Sequence, residues 1–292
     1  MKSMSKFTEE VGTQDLVSIK GSGTRWEIGR SSTPNTRIVF APVGIIKIDP
    51  AEMIVRVGAG TKLADLQSEL SISGQEVALD GLSDSTVGGS LAVGSSSFRR
   101  FKIGKAADVL LQAECVASDG QNFTAGGPTV KNVTGYDLCR LLVSSLGTLA
   151  FIGTVILRTR PKPEASAWFV GSLPSEDVLA SCYRPAAVFS ETSETTVLLE
   201  GYLEDLDAER KILLDMGFKE STNAPILPKF TSPWNGEYPH SGLLEVQSGV
   251  LHTGEFVEPA SVDSEVKELA YRMKNNFDPT GRLNPGCRPY GI

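Results

Sequence analysis

DGLSDSTVGGSLAVGSSSFRR, residues 80–100, is nearly devoid of bulky side chains and ends in an abrupt Arg99-Arg100. It offers hydroxyls at Ser85, Thr86, Ser95, Ser96 and Ser97 and bare backbone at Gly88, Gly89 and Gly94. Donors without bulk suit a pyrophosphate held by main-chain N–H and short O–H groups. The competing reading is a flexible serine–glycine loop that meets no ligand. A second segment of this kind, IKGSGT (residues 19–24), sets Gly21, Ser22, Gly23 and Thr24 directly after a strand. Successive N–H groups in such a turn can form an anion nest. Most Gly-Ser-Gly turns are only turns, but two glycine–hydroxyl loops in one chain favour a ligand.

Outward from these loops, the first half reads as short β-branched strands punctuated by glycine: LVSIKG, IIKID, MIVRVGAG, VLLQAECVASDGQ and FIGTVILRTRPKP. Two helices interrupt them. TKLADLQSEL places Leu63, Leu66 and Leu70 on one face after an expected N-cap at Thr61, and GYDLCRLLVSSLG is expected to run to a stop at Gly147. A boundary is expected at RPKPEAS. Beyond it, SAWFVGSL, SEDVLASCYR, AAVFS, TVLLEGYL, LDAERKILLDMG and FKES give the order βαββαβ of a small split βαβ sandwich. HSGLLEVQSGVLHTGEF reads as one more strand pair. The last helix, SVDSEVKELAYRMKNNF, has Val262, Val266, Leu269, Met273 and Phe277 on one face. The expected domains are 1–163, 164–260 and 261–292.

The 292 residues are 40% hydrophobic, enough for a sizeable core. Lys+Arg 28 against Asp+Glu 35 gives a net charge of -7 without long runs of either sign, which argues against a nucleic-acid binder. No stretch is apolar enough to cross a bilayer, and MKSMSKFTEEVG lacks the apolar core of a signal peptide. Cys115, Cys139, Cys182 and Cys287 are widely spaced, fit a reducing compartment and form no local zinc or iron–sulfur motif. A cytoplasmic protein is expected, with any membrane contact made through a partner.

The two loops, together with GPTVKNVTGYDLCRLLVSSLGTLAFIGTVILRTRPKP (residues 127–163), resemble the FAD-binding domain of the vanillyl-alcohol oxidase and p-cresol methylhydroxylase superfamily. VKNVTGYDLCRLLVSSLGTL and GSSSFRRFKIG are most similar to the glycolate oxidase FAD-binding (E) subunits. FDPTGRLNPG resembles the superfamily's C-terminal return to the flavin. The likeness is strong over Val17–Pro163 and Lys274–Pro289 and faint between. It implies an α+β fold: a PCMH-type FAD-binding domain of two α/β subdomains, with a shortened α+β cap of ferredoxin-like βαββαβ order. It also implies a first phosphate loop at Gly21, Ser22, Gly23 and Thr24. Thr86, Val87, Gly88, Gly89 and Ser95 would line the FAD, Ile152 would serve its adenine end, and Asn284 would sit near the isoalloxazine. On this reading Gly88 and Gly89 are glycine because a dinucleotide lies against them. Either Arg99 or Arg100 could meet the pyrophosphate or a substrate carboxylate, or the pair could simply be exposed. Lys131, Asn132, Tyr136, Asp137 and Arg140 match the subunit motif; for Tyr136 and Asp137 a structural role at the helix start is expected.

The flavin loops hold no histidine or cysteine for covalent linkage, so non-covalent FAD is expected. His240 and His252 are the sole histidines and lack metal-ligand spacing. Oxidation of a 2-hydroxy acid needs a base, and the related dehydrogenases implied by the resemblance use histidines around a metal. The expectation is an FAD-binding subunit of a glycolate-oxidase-like complex, with a related catalytic flavoprotein, an iron–sulfur subunit and a small 2-hydroxy acid such as glycolate. A non-catalytic flavin holder and a stand-alone dehydrogenase are the alternatives.

Overall fold

A computed structural model describes residues 2–30, 35–79, 84–94, 96–128, 137–228, 230–236, 242–255 and 263–289. The chain divides into two units. The first comprises Met1–Ser97, Lys105–Pro161 and Ala260–Ile292; the second comprises Phe98–Gly104 and Lys162–Pro259.

In the first unit, helix α1 (Met4–Val11) is capped by Ser3, whose Oγ accepts from Lys6 N at 3.2 Å, and it buries Phe7 and Val11. Strand β1 (Val17–Ile19) pairs in parallel with β2 (Arg37–Val39). The main sheet contains β3 (Ile45–Asp49), β4 (Ile54–Gly58), β5 (Gln75–Val77), β6 (Leu110–Val116), β7 (Asn122–Gly126) and β8 (Phe151–Pro161). Its order is β3-β4-β8-β6-β7, with β5 also on β8, and every pairing is antiparallel. β8 is buried along seven consecutive residues from Phe151, so it carries the core on both faces and reads as an apolar run. Helix α1 lies over it at Gly153, where a Cβ would collide with Met4.

Helix α2 (Leu63–Ile72) buries Leu63, Leu66 and Leu70 as its period demands. Its N-cap is Lys62, not the expected Thr61, because the Thr61 hydroxyl accepts from Gly44 N at 2.8 Å instead. Helix α3 (Val87–Val93) is capped by Thr86 and ends at Gly94 in the left-handed region (φ 74). A turn of helix, α4 (Arg100–Ile103), belongs to the second unit, and α5 (Ala106–Val109) returns to the first. Helix α6 (Leu138–Leu142) starts at Asp137, whose carboxylate accepts from Arg140 N, and is shorter than the sequence suggested. Ser144 (φ 67) and Leu146 (φ 52) already turn left-handed ahead of Gly147. Their N–H groups donate to Leu91 O and Ala92 O, so carbonyls in the last turn of α3 divert the chain.

The second unit contains β9 (Ala165–Gly171), α7 (Ser175–Ser181), β10 (Ala187–Glu191), β11 (Glu194–Gly201), α8 (Leu203–Asp215) and β12 (Lys219–Ser221). These are the six elements read from the sequence. β13 (Phe230–Pro233), β14 (Leu243–Glu245) and β15 (Val250–Thr253) extend the sheet to β12-β9-β11-β10-β14-β15-β13. The first four strands in this order reproduce the 4-1-3-2 arrangement of a ferredoxin-like sheet, and β14 and β15 form the expected pair. One face packs Phe169, Val188 and Val197 against Val178 of α7 and Leu206 and Leu213 of α8. The opposite face, with Trp168, Phe189, Leu198 and Leu243, is packed by Phe98. Residues 98–104, read from the sequence as part of the flavin domain, are therefore built into the second unit.

The chain returns to the first unit as α9 (Ser264–Phe277). None of its residues is buried, and Val266 and Leu269, on the apolar face read from the sequence, are exposed. Val262 lies outside the described residues. The helix is held at its C-terminal end, where Lys274 Nζ donates to Thr148 O at 2.7 Å and Ser118 Oγ donates to Phe277 O at 2.7 Å. Among the described residues no helix is long and apolar enough to cross a membrane.

Candidate binding cleft

The first unit holds an open cleft of about 940 Å3, mouth included, between the loop after β1, the start of α3, the turn after α6 and the first residues of β8. Gly21 to Thr24 form one wall. Lys20 N donates to Val39 O and so ends the β1–β2 pairing, and at Trp26 and Ile28 the N–H groups donate to Gly23 O and Arg25 O. Between these points the N–H groups of Gly21, Ser22, Gly23 and Thr24 have no partner among the described residues. Unpaired backbone donors at a cleft wall are the feature an anion would satisfy. Thr24 Oγ1 lies 3.4 Å from Ser85 Oγ, which brings the two glycine–hydroxyl loops together.

The start of α3 is different. Val87 N donates to Thr61 O, Gly88 N to Ala59 O, Gly89 N to Thr86 Oγ1 and Ser90 N to Thr86 O. Its backbone donors are already occupied. Gly88 and Gly89 do line the cleft, together with Thr86. A Cβ on Gly88, however, would stand 2.9 Å from Ala59 Cβ and 3.0 Å from its carbonyl oxygen, and one on Gly89 would stand 2.9 Å from Thr86 Oγ1. The protein's own packing thus requires small residues at these positions. Val87 is fully buried in the core.

Ile152 lines the cleft where the β6–β8 ladder shifts register beside Cys115. Asn284 also lines it, in a left-handed conformation (φ 44). Its side-chain amide is engaged at both ends: Oδ1 accepts from Ile19 N at 2.8 Å and Nδ2 donates to Leu146 O at 2.6 Å. Asn284 therefore joins three walls of the cleft.

Ser95, Lys131, Asn132, Tyr136 and His240 lie outside the described residues. Asp137 caps α6, and Arg140 pairs with Asp137 and Asp108. Arg99 and Arg100 belong to the second unit and meet carboxylates there: Arg99 Nε lies 2.8 Å from Glu200, and an Arg100 terminal nitrogen lies 3.0 Å from Glu245. His252 is buried in the same unit, 3.4 Å from Glu245 and edge-on to Phe189.

The composition of the cleft reveals what the sequence patterns did not. Lys20, Arg25 and Arg30 all line it, and among the described residues no carboxylate does. In a chain of net charge -7 this is a local reversal of sign. Burial lowers the pKa of the Arg25 guanidinium, which still stays charged. Trp26 stacks under Arg30, with the guanidinium carbon 3.9 Å from the ring centroid, and the Lys20 ammonium lies 5.3 Å from the same ring. Ile19, Ala41, Val93 and Ala150 supply apolar wall. Cys287 also reaches the cleft, through a bridge with Arg30. Burial raises its thiol pKa against the opposing pull of Arg30 and Lys274, which favours the unreactive protonated form. The signal for these residues was the run KGSGTRWEIGR, where three cations closely follow a strand.

Residues 11–126 match the FAD binding domain family. Glycolate oxidase subunit GlcE of Escherichia coli (strain K12) is 30% identical over 166 residues, 56% of this chain and 47% of that protein. Glycolate oxidase subunit GlcD of Bacillus subtilis (strain 168) is 28% identical over 280 residues, 91% of this chain and 57% of that protein. The chain thus spans about half the length of these relatives. Alkyldihydroxyacetonephosphate synthase superposes with a TM-score of 0.59 at 16% identity, over 76% of this chain and 54% of that one. That likeness concerns the fold alone.

Proposed function

We infer from the FAD binding domain of p-cresol methylhydroxylase type that this chain carries, with FAD as its cofactor, that it is a flavin-dependent oxidoreductase subunit acting on the CH–OH group of a small 2-hydroxy acid such as glycolate. The reading rests chiefly on the cleft, which among the described residues has unpaired N–H groups at Gly21–Thr24, three cations, no lining carboxylate and an apolar wall. This donor set fits a dianionic dinucleotide with a flat apolar end.

In this reading Gly21 to Thr24 hold the pyrophosphate by their backbone, helped by the Thr24 and Ser85 hydroxyls, while Lys20, Arg25 and Arg30 neutralise its charge. Ile152 and Val93 take apolar ring surface. Asn284 and Val87 act through position, the first by pinning three walls and the second by seating α3 in the core. FAD, when bound, supplies the two-electron acceptor for the donor's C–H bond. Binding in this reading is non-covalent, because the two flavin loops hold no histidine or cysteine for a linkage. Glycolate-oxidase-like partners, namely a related flavoprotein and an iron–sulfur subunit, complete the assembly.

One observation favours a second reading. Among the described residues, Lys20, Arg25, Arg30 and Cys287 are the titratable groups lining the cleft, and none is poised as a base. The base would then come from a partner, and this chain would be a flavin holder. Purified protein should be yellow and should release FAD on acid precipitation; a colourless protein that takes up no FAD would refute the cofactor role. Dye-linked turnover of glycolate or D-lactate should require the partner subunits. Brisk turnover by the chain alone would instead make it a self-sufficient dehydrogenase.

A further inference from the structure

We propose that residues 96–106 form a coupling strap that links FAD occupancy of the cleft to the covering of the second unit's sheet; this rests on the cleft being the FAD site. Its neck is in the first unit, where Ser96 Oγ accepts from Ala106 N at 3.2 Å. Its tip, Phe98–Gly104, is built into the second unit. Phe98 packs 6.0 Å from Trp168 and 5.6 Å from Phe189, ring centre to ring centre. Arg99 Nε lies 2.8 Å from Glu200 Oε2, and Lys102 donates to the Glu200 carbonyl. An Arg100 terminal nitrogen lies 3.0 Å from Oε2 of Glu245, whose side chain is wholly buried with Oε1 unpartnered among the described residues.

Such a strap has two arrangements. Docked, it shields an aromatic face and neutralises two buried carboxylates. Released, it leaves Glu200 and Glu245 without these cations, so the docked form is strongly preferred. The strap is also the direct continuation of α3, which lines the cleft through Gly88, Gly89, Ala92 and Val93 and ends at Gly94. A ligand that orders α3 restrains the strap at its root and favours docking. By reciprocity, docking must then favour the ligand to the same degree.

Hydrogen–deuterium exchange on the full chain, with and without FAD, tests the linkage. FAD should slow exchange in peptides covering 98–104, 187–201 and 243–253, none of which lines the cleft. Protection confined to 19–30, 85–93 and 145–152 would overturn the strap and leave the cofactor role intact. The double variant Arg100→Met with Glu245→Gln removes both members of the Arg100–Glu245 pair together, and it should weaken FAD about tenfold. Unchanged affinity in that variant would also overturn the proposal. A wild-type chain that takes up no FAD would overturn both the strap and the function beneath it.

Discussion

At single residues, the C-terminal motif FDPTGRLNPG is explained by what its side chains tie together. Arg282, 2% exposed, donates to the carbonyls of Val11, Gly12, Asp15 and Ser118. Asp278, 1% exposed, accepts from the N–H groups of Arg282 and Leu283. With Asn284 these residues fasten the return of the chain to β1. Gly88 has a comparable internal reason in Ala59. Gly88→Val should therefore destabilise the apoprotein itself, by about 1–3 kcal/mol of overpacking, measured as a lower urea midpoint without flavin. Unchanged apo stability with lost FAD affinity would show that the ligand, not Ala59, dictates that glycine. The thiols allow a second test. Burial raises Cys139 to about 11 and Cys182 to about 12, and raises Cys115 further, whereas Cys287 is only half-buried at the cleft. Cys115, Cys139 and Cys182 stay protonated well above the ordinary thiol pKa and Cys287 is shifted in the same direction, so native alkylation at pH 8.5 should be slow and should begin at Cys287. FAD should slow it further there. Equal labelling of Cys287 with and without FAD, followed by mass spectrometry, would place that thiol outside the ligand's footprint.

At the level of elements, the loop from Lys20 to Arg30 contributes most of the cleft's chemistry. Lys20→Met removes one of three cations while β1 keeps its pairing, so FAD should bind roughly tenfold more weakly, with a smaller deficit at high salt. Titrations at two ionic strengths check this; an identical deficit at both would argue for a packing effect. The strands of the first half were legible because Val, Ile and Leu runs stop at glycine, and the second unit was legible because its βαββαβ order needs no distant information. The cation cluster was harder to see: it lies in a loop without periodicity, and its meaning comes from the lack of acids among the other described lining residues. α1 was missed although Ser3, Phe7 and Val11 carry its cap and its i, i+4 face. The fate of Arg99 and Arg100 was beyond local reading, since their partners lie 101 and 145 residues onward. α6 ends early for the same kind of reason, because the carbonyls that divert Ser144 and Leu146 belong to α3.

At the scale of the molecule, neither unit is continuous in sequence. The first is assembled from three stretches and the second from two. A helix with exposed Val266 and Leu269 is attached to the first unit by its last turn, so its position depends on Lys274, Ser118 and the Arg282 cluster rather than on a buried face. The Arg282 stitch also sets a temporal order. Val11, Gly12 and Asp15 cannot receive their guanidinium donor until residue 282 has been made, whereas every described strand of the second unit is complete by Thr253. Domains usually close in the order in which they leave the ribosome. Here the later-starting unit can finish first, and the amino-terminal unit must wait with its cleft unformed. Flavin loading is thereby deferred until residue 282 has been made, and a nascent chain arrested before it should have the second unit's fold but no cofactor.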